Sequence, residues 1–306
     1  MDIYMSIIRR LTQEVIEDRY SRKNIHKHIR KDLMECAEMV DKFDAIELAI
    51  HKHIHTTFDY KSKNERMAHL RNADIDWTEV LTELMITVVR TGEAQNIQSV
   101  VGCIGHMFKH DDPFDGIRTA GEIVAIAGEH DLFHVIPAKY SDTVYMMIEP
   151  IYELSEEVKQ YIADTKYLPP MITKPLKVTK NFDYDYYTVE SSKILGSGNH
   201  HEKPIALDVI NIANGIAMEL DLDVLGEEEK SSKPLDTPEK IKNFNRMTHA
   251  SRIVYNEILE HGNRFYNTHK YDKRGRLYSQ GYHVHIQSTE YKKALINLAH
   301  KEIIEL

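Results

Sequence analysis

Apolar residues recur at helical spacing through residues 3–16, 33–50, 80–89, 97–108 and 117–127, which constrains the first part of the chain to a helical assembly. The period then changes. Phe133 and Val135, followed by Val144, Tyr145, Met146 and Met147 with Pro137, Ser141 and Asp142 between, fit a β-hairpin over residues 132–148. A helix is expected over 155–164, a proline-marked crossing over 168–175, and loops over 181–187 and 196–203. Two long helices, 207–225 and 238–262, flank a linker at 226–238 that carries Glu227, Glu228, Glu229, Ser231, Ser232 and two prolines. The class implied is mainly α with a minor β component, α+β.

At 306 residues the chain has room for a real core in one or two domains. It holds no apolar run of membrane-spanning length, and residues 1–20 are charged and amphipathic where a signal peptide would be apolar, so a cytoplasmic protein without a membrane partner is expected. Cys36 and Cys103 lie in helical surroundings without a Cys-x-x-Cys pair and are expected as buried free thiols.

Histidine is abundant. His26 and His28, and His51, His53 and His55, alternate at two-residue spacing, which sends helical neighbours to different faces and suits surface positions better than metal ligation. His200, His201 and Glu202 lack the second histidine of a zinc helix. His110 and Asp111, with His106, His130 and Asp131 nearby, suggest a metal phosphohydrolase of the His-Asp type, against which Asp112 and Pro113 read as a helix-ending turn.

The densest chemistry lies in residues 265–278. Lys273, Arg274 and Arg276 crowd around Asp272, with Gly275 between the arginines and Tyr278 after them. Guanidinium forks grip phosphates or base edges, glycine admits close approach or positive φ, and the tyrosine can stack on a base. Asp272 is expected to orient one of the arginines. The same residues also fit a basic β-turn on a solvated surface. Charge is unevenly spread: the chain carries −9 overall, whereas residues 240–306 hold 12 Lys or Arg against 6 Asp or Glu, leaving −15 for the remainder. Screening confines a field to about 10 Å, so a basic patch can bind phosphate on an acidic protein.

Tyr266, Asn267, Asp272, Arg274, Gly275, Arg276 and Tyr278 resemble the Tyr-Asn-x-Asp-x-Arg-Gly-Arg-x-Tyr motif of the single-subunit, phage and mitochondrial-type DNA-dependent RNA polymerases, with extra residues between Asn267 and Asp272. Gln287, Glu290, Lys293 and Ala294 through Ala299 are similar to the family's following Gln…Asp…Lys-x-Leu-Leu-x-Leu-Ala segment. Ser251, Arg252, Ile253 and residues 257–263 resemble the helix leading into the motif. Weaker echoes are Ile210, Asn211, Ile212 and Ala213, and the prolines of 168–175.

The resemblance implies an N-terminal helical domain over 1–206 with its hairpin near 132–148, a reduced thumb over 207–262 as a helical hairpin, and the first segment of a right-hand palm over 263–306 with the Asp-x-x-Gly-Arg motif. It implies a nucleic-acid-binding set of Asp272, Arg274, Gly275, Arg276, Tyr278, Gln287 and Lys293, facing DNA template and RNA–DNA hybrid. In the family, the fingers and the aspartates that hold catalytic Mg2+ lie beyond the point matched by Leu306. The resemblance therefore implies either a truncated piece of such a polymerase or, as the reading preferred, the N-terminal subunit of the split polymerases of certain podophages, acting in an infected bacterial cell and inactive without a second subunit that holds the metal. Residues 277–285 are expected as a palm strand and 294–304 as an amphipathic helix, both needing cover from that subunit. The 132–148 hairpin occupies the place of the family's intercalating hairpin, with Ile136 and Pro137 near its tip as wedges against a plain structural role. Without a basic loop in the acidic part to grip duplex, an accessory factor for promoter opening is expected. A stand-alone nucleic-acid-binding adaptor is the remaining alternative.

Overall fold

The computed structural model describes residues 2–140, 142–196 and 198–301. Helix predominates and the strands form small sheets, an α+β composition. The chain divides into two compact units, His26–Lys159 and Met1–Ile25 with Gln160–Leu306. This division does not follow the boundaries expected at 206 and 262. Among the described residues no helix is long and apolar enough to cross a membrane.

Helices α1 (Asp2–Arg19) and α2 (Arg22–Glu35) open the chain. The unit His26–Lys159 is then built from α3 (Ala37–His55), α4 (Lys61–Asn72), α5 (Trp77–Val89), β1 (Gln95–Asn96), α6 (Ile97–Ile104) with a 3-10 turn at Gly105–Phe108, α7 (Pro113–Glu129), β2 (Phe133–Tyr140) and β3 (Thr143–Pro150). The continuous helix expected over 33–50 is divided at Cys36, whose extended backbone precedes α3. Helix α5 buries ten of its side chains, Trp77 and Leu81 among them, because it runs through the core instead of along its surface. Each fully buried aliphatic side chain there contributes about 1.5–3 kcal/mol. Asp76 starts α5 by accepting from the Glu79 N–H, and Asp112 starts α7 by accepting from the Phe114 N–H with Pro113 in the first turn. Asp112 and Pro113 thus begin a helix, whereas the sequence suggested that they end one. Backbones meet where α7 crosses the 3-10 turn: a Cβ on Gly116 would stand 2.5 Å from the Gly105 carbonyl oxygen.

Strands pair in the order β1-β3-β2, and β2 and β3 form the expected hairpin with Tyr140 opposite Thr143. Ile136 and Pro137 lie in mid-strand, opposite Met147 and Met146, and are not at the tip. Among the described residues near the turn, Val144, Tyr145 and Met146 are exposed. Neither cysteine is fully buried; both are free, Cys36 half-buried and Cys103 exposed.

In the other unit, Ile16 of α1 and Tyr20 just after it pack with Ile172, and α1 leaves Tyr4, Met5, Ile7, Ile8, Leu11 and Val15 exposed. Glu17 is fully buried and accepts from the backbone of Tyr187 and Thr188 and from the Thr188 hydroxyl. After α8 (Glu156–Asp164) come β4 (Phe182–Tyr184) and β5 (Glu190–Ser192), a two-stranded pair where the sequence suggested a loop. Next are α9 (Leu207–Asn214), β6 (Met218–Leu220), α10 (Leu222–Leu225), α11 (Pro238–Glu260), β7 (His269–Tyr271), β8 (Leu277–Ser279), α12 (Glu290–Ala294) and β9 (Ile296–Leu298).

Two expected helices are replaced here. The helix over 207–225 stops at Asn214 and Gly215, and Met218–Leu220 becomes a strand paired with β9, so the thumb-like helical hairpin has its second member, α11, but not its first. The helix over 294–304 yields to β9; residues 302–304 lie outside the described residues. Both changes serve one core of Met218, Leu220, Val254, Tyr255, Ile258, Phe265, Val284 and Leu295. The expected strand over 277–285 is confined to β8, which finds its partner β7 within the chain. Amide side chains finish the short ladders. Asn263 donates to the Leu220 carbonyl and accepts its N–H, and Asn211 does the same for Val178.

Candidate nucleic-acid interface

The motif residues form the tip of the β7–β8 hairpin. Tyr271 pairs with Leu277, and a further hydrogen bond between Asp272 and Arg276 narrows the connection to the three residues 273–275, a loop type that takes a left-handed residue last; Gly275 supplies it at φ +80°. The Asp272 N–H donates to the Arg276 carbonyl at 2.9 Å and the Gly275 N–H to the Asp272 carbonyl at 3.0 Å.

The Asp272 carboxylate organises the tip. Its Oδ1 accepts the backbone N–H groups of Arg274 at 2.8 Å and Arg276 at 3.0 Å. Its Oδ2 accepts Nε of Arg274 at 3.1 Å and Nε of Arg276 at 2.9 Å, with Nη2 of each at 3.0 and 2.9 Å. The sequence suggested that Asp272 orients one arginine; it holds both. The Arg276 N–H and guanidinium hold the carboxyl below its ordinary range, and the carboxylate raises Arg276 in turn. Side chains this exposed gain little stability from such pairs. Their consequence is geometric: two guanidiniums are fixed side by side, each with donors left for an anion. With Lys273, the tip carries three cations against one carboxylate.

Arg276 also lies over the Tyr278 ring, 5.5 Å from its centroid. Gln287 joins this assembly through structure: its Oε1 accepts the Ser279 N–H at 2.9 Å and its Nε2 donates to the Leu277 carbonyl at 3.1 Å, bracing β8 as a third strand would. Lys293 sits exposed on α12, outside the Asp272 network. Beside the tip is a cavity of about 690 Å3 lined by Ile194, His200, His201, Tyr271, Asp272 and Lys273 among others.

Sequence reasoning missed Lys270 and Lys292. Lys270 Nζ donates to Ser191 Oγ at 3.0 Å from a largely enclosed position, and burial lowers its pKa. Lys292, buried, donates to Ser251 Oγ at 3.1 Å, which in turn lies 3.0 Å from His283 Nδ1. Burial and the nearby Lys292 cation lower the His283 pKa to about 4. No local signal separates the buried Lys292 from the exposed Lys293.

The residues behind the phosphohydrolase alternative are engaged otherwise. His110 Nε2 lies 3.0 Å from Thr119 Oγ1, its ring lies 4.3 Å from that of His69 with the planes tilted by 30°, and Asp112 caps α7. Among the described residues, no group of three or more His, Cys, Asp or Glu side chains is placed to hold a metal ion. No protein-family model matches the chain, and no curated protein matches it.

Proposed function

We propose that the chain is one subunit of a heterodimeric DNA-directed RNA polymerase of the single-subunit type, binding template and RNA–DNA hybrid while a second chain supplies fingers and the metal-binding aspartates. The observation that carries this reading is the Asp272-centred tip, where one carboxylate holds both Arg274 and Arg276 and leaves further guanidinium donors uncommitted, a set suited to a phosphate backbone. Asp272, the one acid of the tip, has both oxygens committed to arginine N–H groups, which suits a positioning role and not metal ligation. Mg2+ held by the partner would supply the Lewis acidity for phosphoryl transfer. On this chain, Arg274 and Arg276 bind, Tyr278 supports Arg276, and Gln287 keeps the hairpin rigid beneath them.

The case for a partner is altered from that made by sequence. Strands β8 and β9 are both paired within the chain, so they do not demand cover. The exposed face of α1, with Tyr4, Ile8, Leu11 and Val15 at successive turns, is an apolar stripe suited to a helix of the second subunit. The acidic remainder of the chain offers little grip on duplex DNA, which supports delivery of opened template by an accessory factor. Affinity purification of the tagged chain from its native source tests the reading: a stoichiometric second chain carrying the catalytic aspartates supports it, and a lone monomer with no associated chain refutes it.

A further inference from the structure

Three cavities lie in sequence across the unit that carries the tip, and consecutive ones share lining residues. The first, about 510 Å3, and the second, about 420 Å3, share Ser191, Lys270 and Gln280. The second and the third, about 270 Å3, share Tyr282 and His285. Aromatic and cationic side chains alternate along them: Phe182, then Lys270, then Tyr167 with Lys166 and Tyr282, then Lys233 with Phe244. Counting Lys230 and Lys292 in the third cavity, five lysines face two carboxylates, Glu190 in the first and Glu229 in the third.

At the centre is a preformed platform. The Tyr167 and Tyr282 rings stack at 3.9 Å with planes 11° apart, and Lys292 Nζ lies 5.8 Å from the Tyr282 centroid. The stack is therefore anchored through Lys292 to Ser251 on α11. Exposed Lys166 lies 5.5 Å from the Tyr167 centroid, a flexible neighbour that a base can displace. Stacked aromatics interleaved with cations suit a chain of unpaired nucleotides: every base has a π-face, and each phosphate gains from a nearby cation.

We propose that these cavities form one track for a single-stranded nucleic-acid segment, with Tyr167 and Tyr282 as its stacking platform and Lys166, Lys270 and Lys233 as its phosphate contacts. The track deepens the polymerase reading and rests on it for biological context, but it is testable without a partner chain or catalysis.

The test is fluorescence anisotropy of the purified full chain with fluorescein-labelled dT12 across a salt series, alongside ultraviolet crosslinking and peptide mapping. The wild-type chain should bind dT12 with marked salt dependence and crosslink at Tyr167 or Tyr282. Tyr167→Ala should weaken binding by roughly tenfold or more, Tyr167→Phe should keep it, and Lys233→Gln should flatten the salt slope by about 0.7. The exposed Lys233 keeps the test valid if Tyr167→Ala fails to fold. Unchanged affinity in both Tyr167→Ala and Lys233→Gln, crosslinks confined to the hairpin tip, or no binding of dT12 by the wild-type chain would each overturn the track. None of these would touch the two-subunit reading, which stands or falls on co-purification.

Discussion

Lys193 Nζ lies 2.9 Å from Asp185 Oδ1, and both side chains are sealed from solvent. Removing one partner of such a pair leaves an uncompensated buried charge. Lys193→Met should therefore cost about 3–5 kcal/mol, and the double variant with Asp185→Leu should recover most of that loss. Urea unfolding of the chain followed by circular dichroism measures both; a neutral Lys193→Met variant would show that the pair does not hold this region.

His283 supplies a pH dependence. Its pKa falls from about 6.5 unfolded to about 4 folded, because burial and the Lys292 cation disfavour its charged form. Between these values the unfolded chain binds the extra proton, so stability is fully present above pH 6.5 and is lost as pH falls toward 4. The loss should reach about 3 kcal/mol. His283→Gln should flatten that part of the stability profile, and a profile unchanged by the substitution would remove His283 as its source.

The outward face of α1 predicts an assembly defect without a folding defect. Leu11 is 54% exposed, so Leu11→Glu should leave the melting temperature of the isolated chain nearly unchanged. If this face is the proposed interface, the same charge should weaken partner binding by at least tenfold, measured by titration of labelled chain with the proposed second subunit. Equal affinity for both forms would place the interface elsewhere.

Much of the helical framework was legible because its signals are local. The periodicity over 80–89 is α5, that over 3–16 falls within α1, and the alternation over 132–148 gave β2 and β3 to within two residues at either end. The composition of the tip likewise offered a basic β-turn as one of its two readings, with Asp272 as an internal partner of one arginine. What failed depended on distant partners. Met218–Leu220 and Ile296–Leu298 are too short to declare themselves, and each is a strand because the other is present. The Asn214 and Gly215 pair and the apolar, charged, apolar alternation of Met218, Glu219 and Leu220 were the local clues to that break. Gln287 has the residue type of a base contact, but the hairpin places its amide on the backbone of β8. The Tyr167 and Tyr282 platform joins segments far apart in sequence, and no pattern of spacing could reveal it.

The tip should matter to activity more than to folding. Arg276→Ala should leave circular dichroism and subunit assembly intact while lowering RNA synthesis by about one to two orders of magnitude, the scale of a lost charge-assisted contact of roughly 1.5–3 kcal/mol. Arg276→Lys should not restore full activity, since a point charge cannot reproduce the fork held by Asp272. Elongation by the reassembled Arg276→Ala enzyme at the wild-type rate would contradict the assignment.

The most direct measurement is run-off transcription on a premelted template by this chain, by its co-purified partner, and by the two combined. RNA should form in the mixture alone, with Mg2+ and all four nucleotides, and far less should form on the matched intact duplex without an added factor. Synthesis by the partner alone at the rate of the mixture, or no synthesis by an assembled pair, would contradict the claim that this chain is a working part of a polymerase.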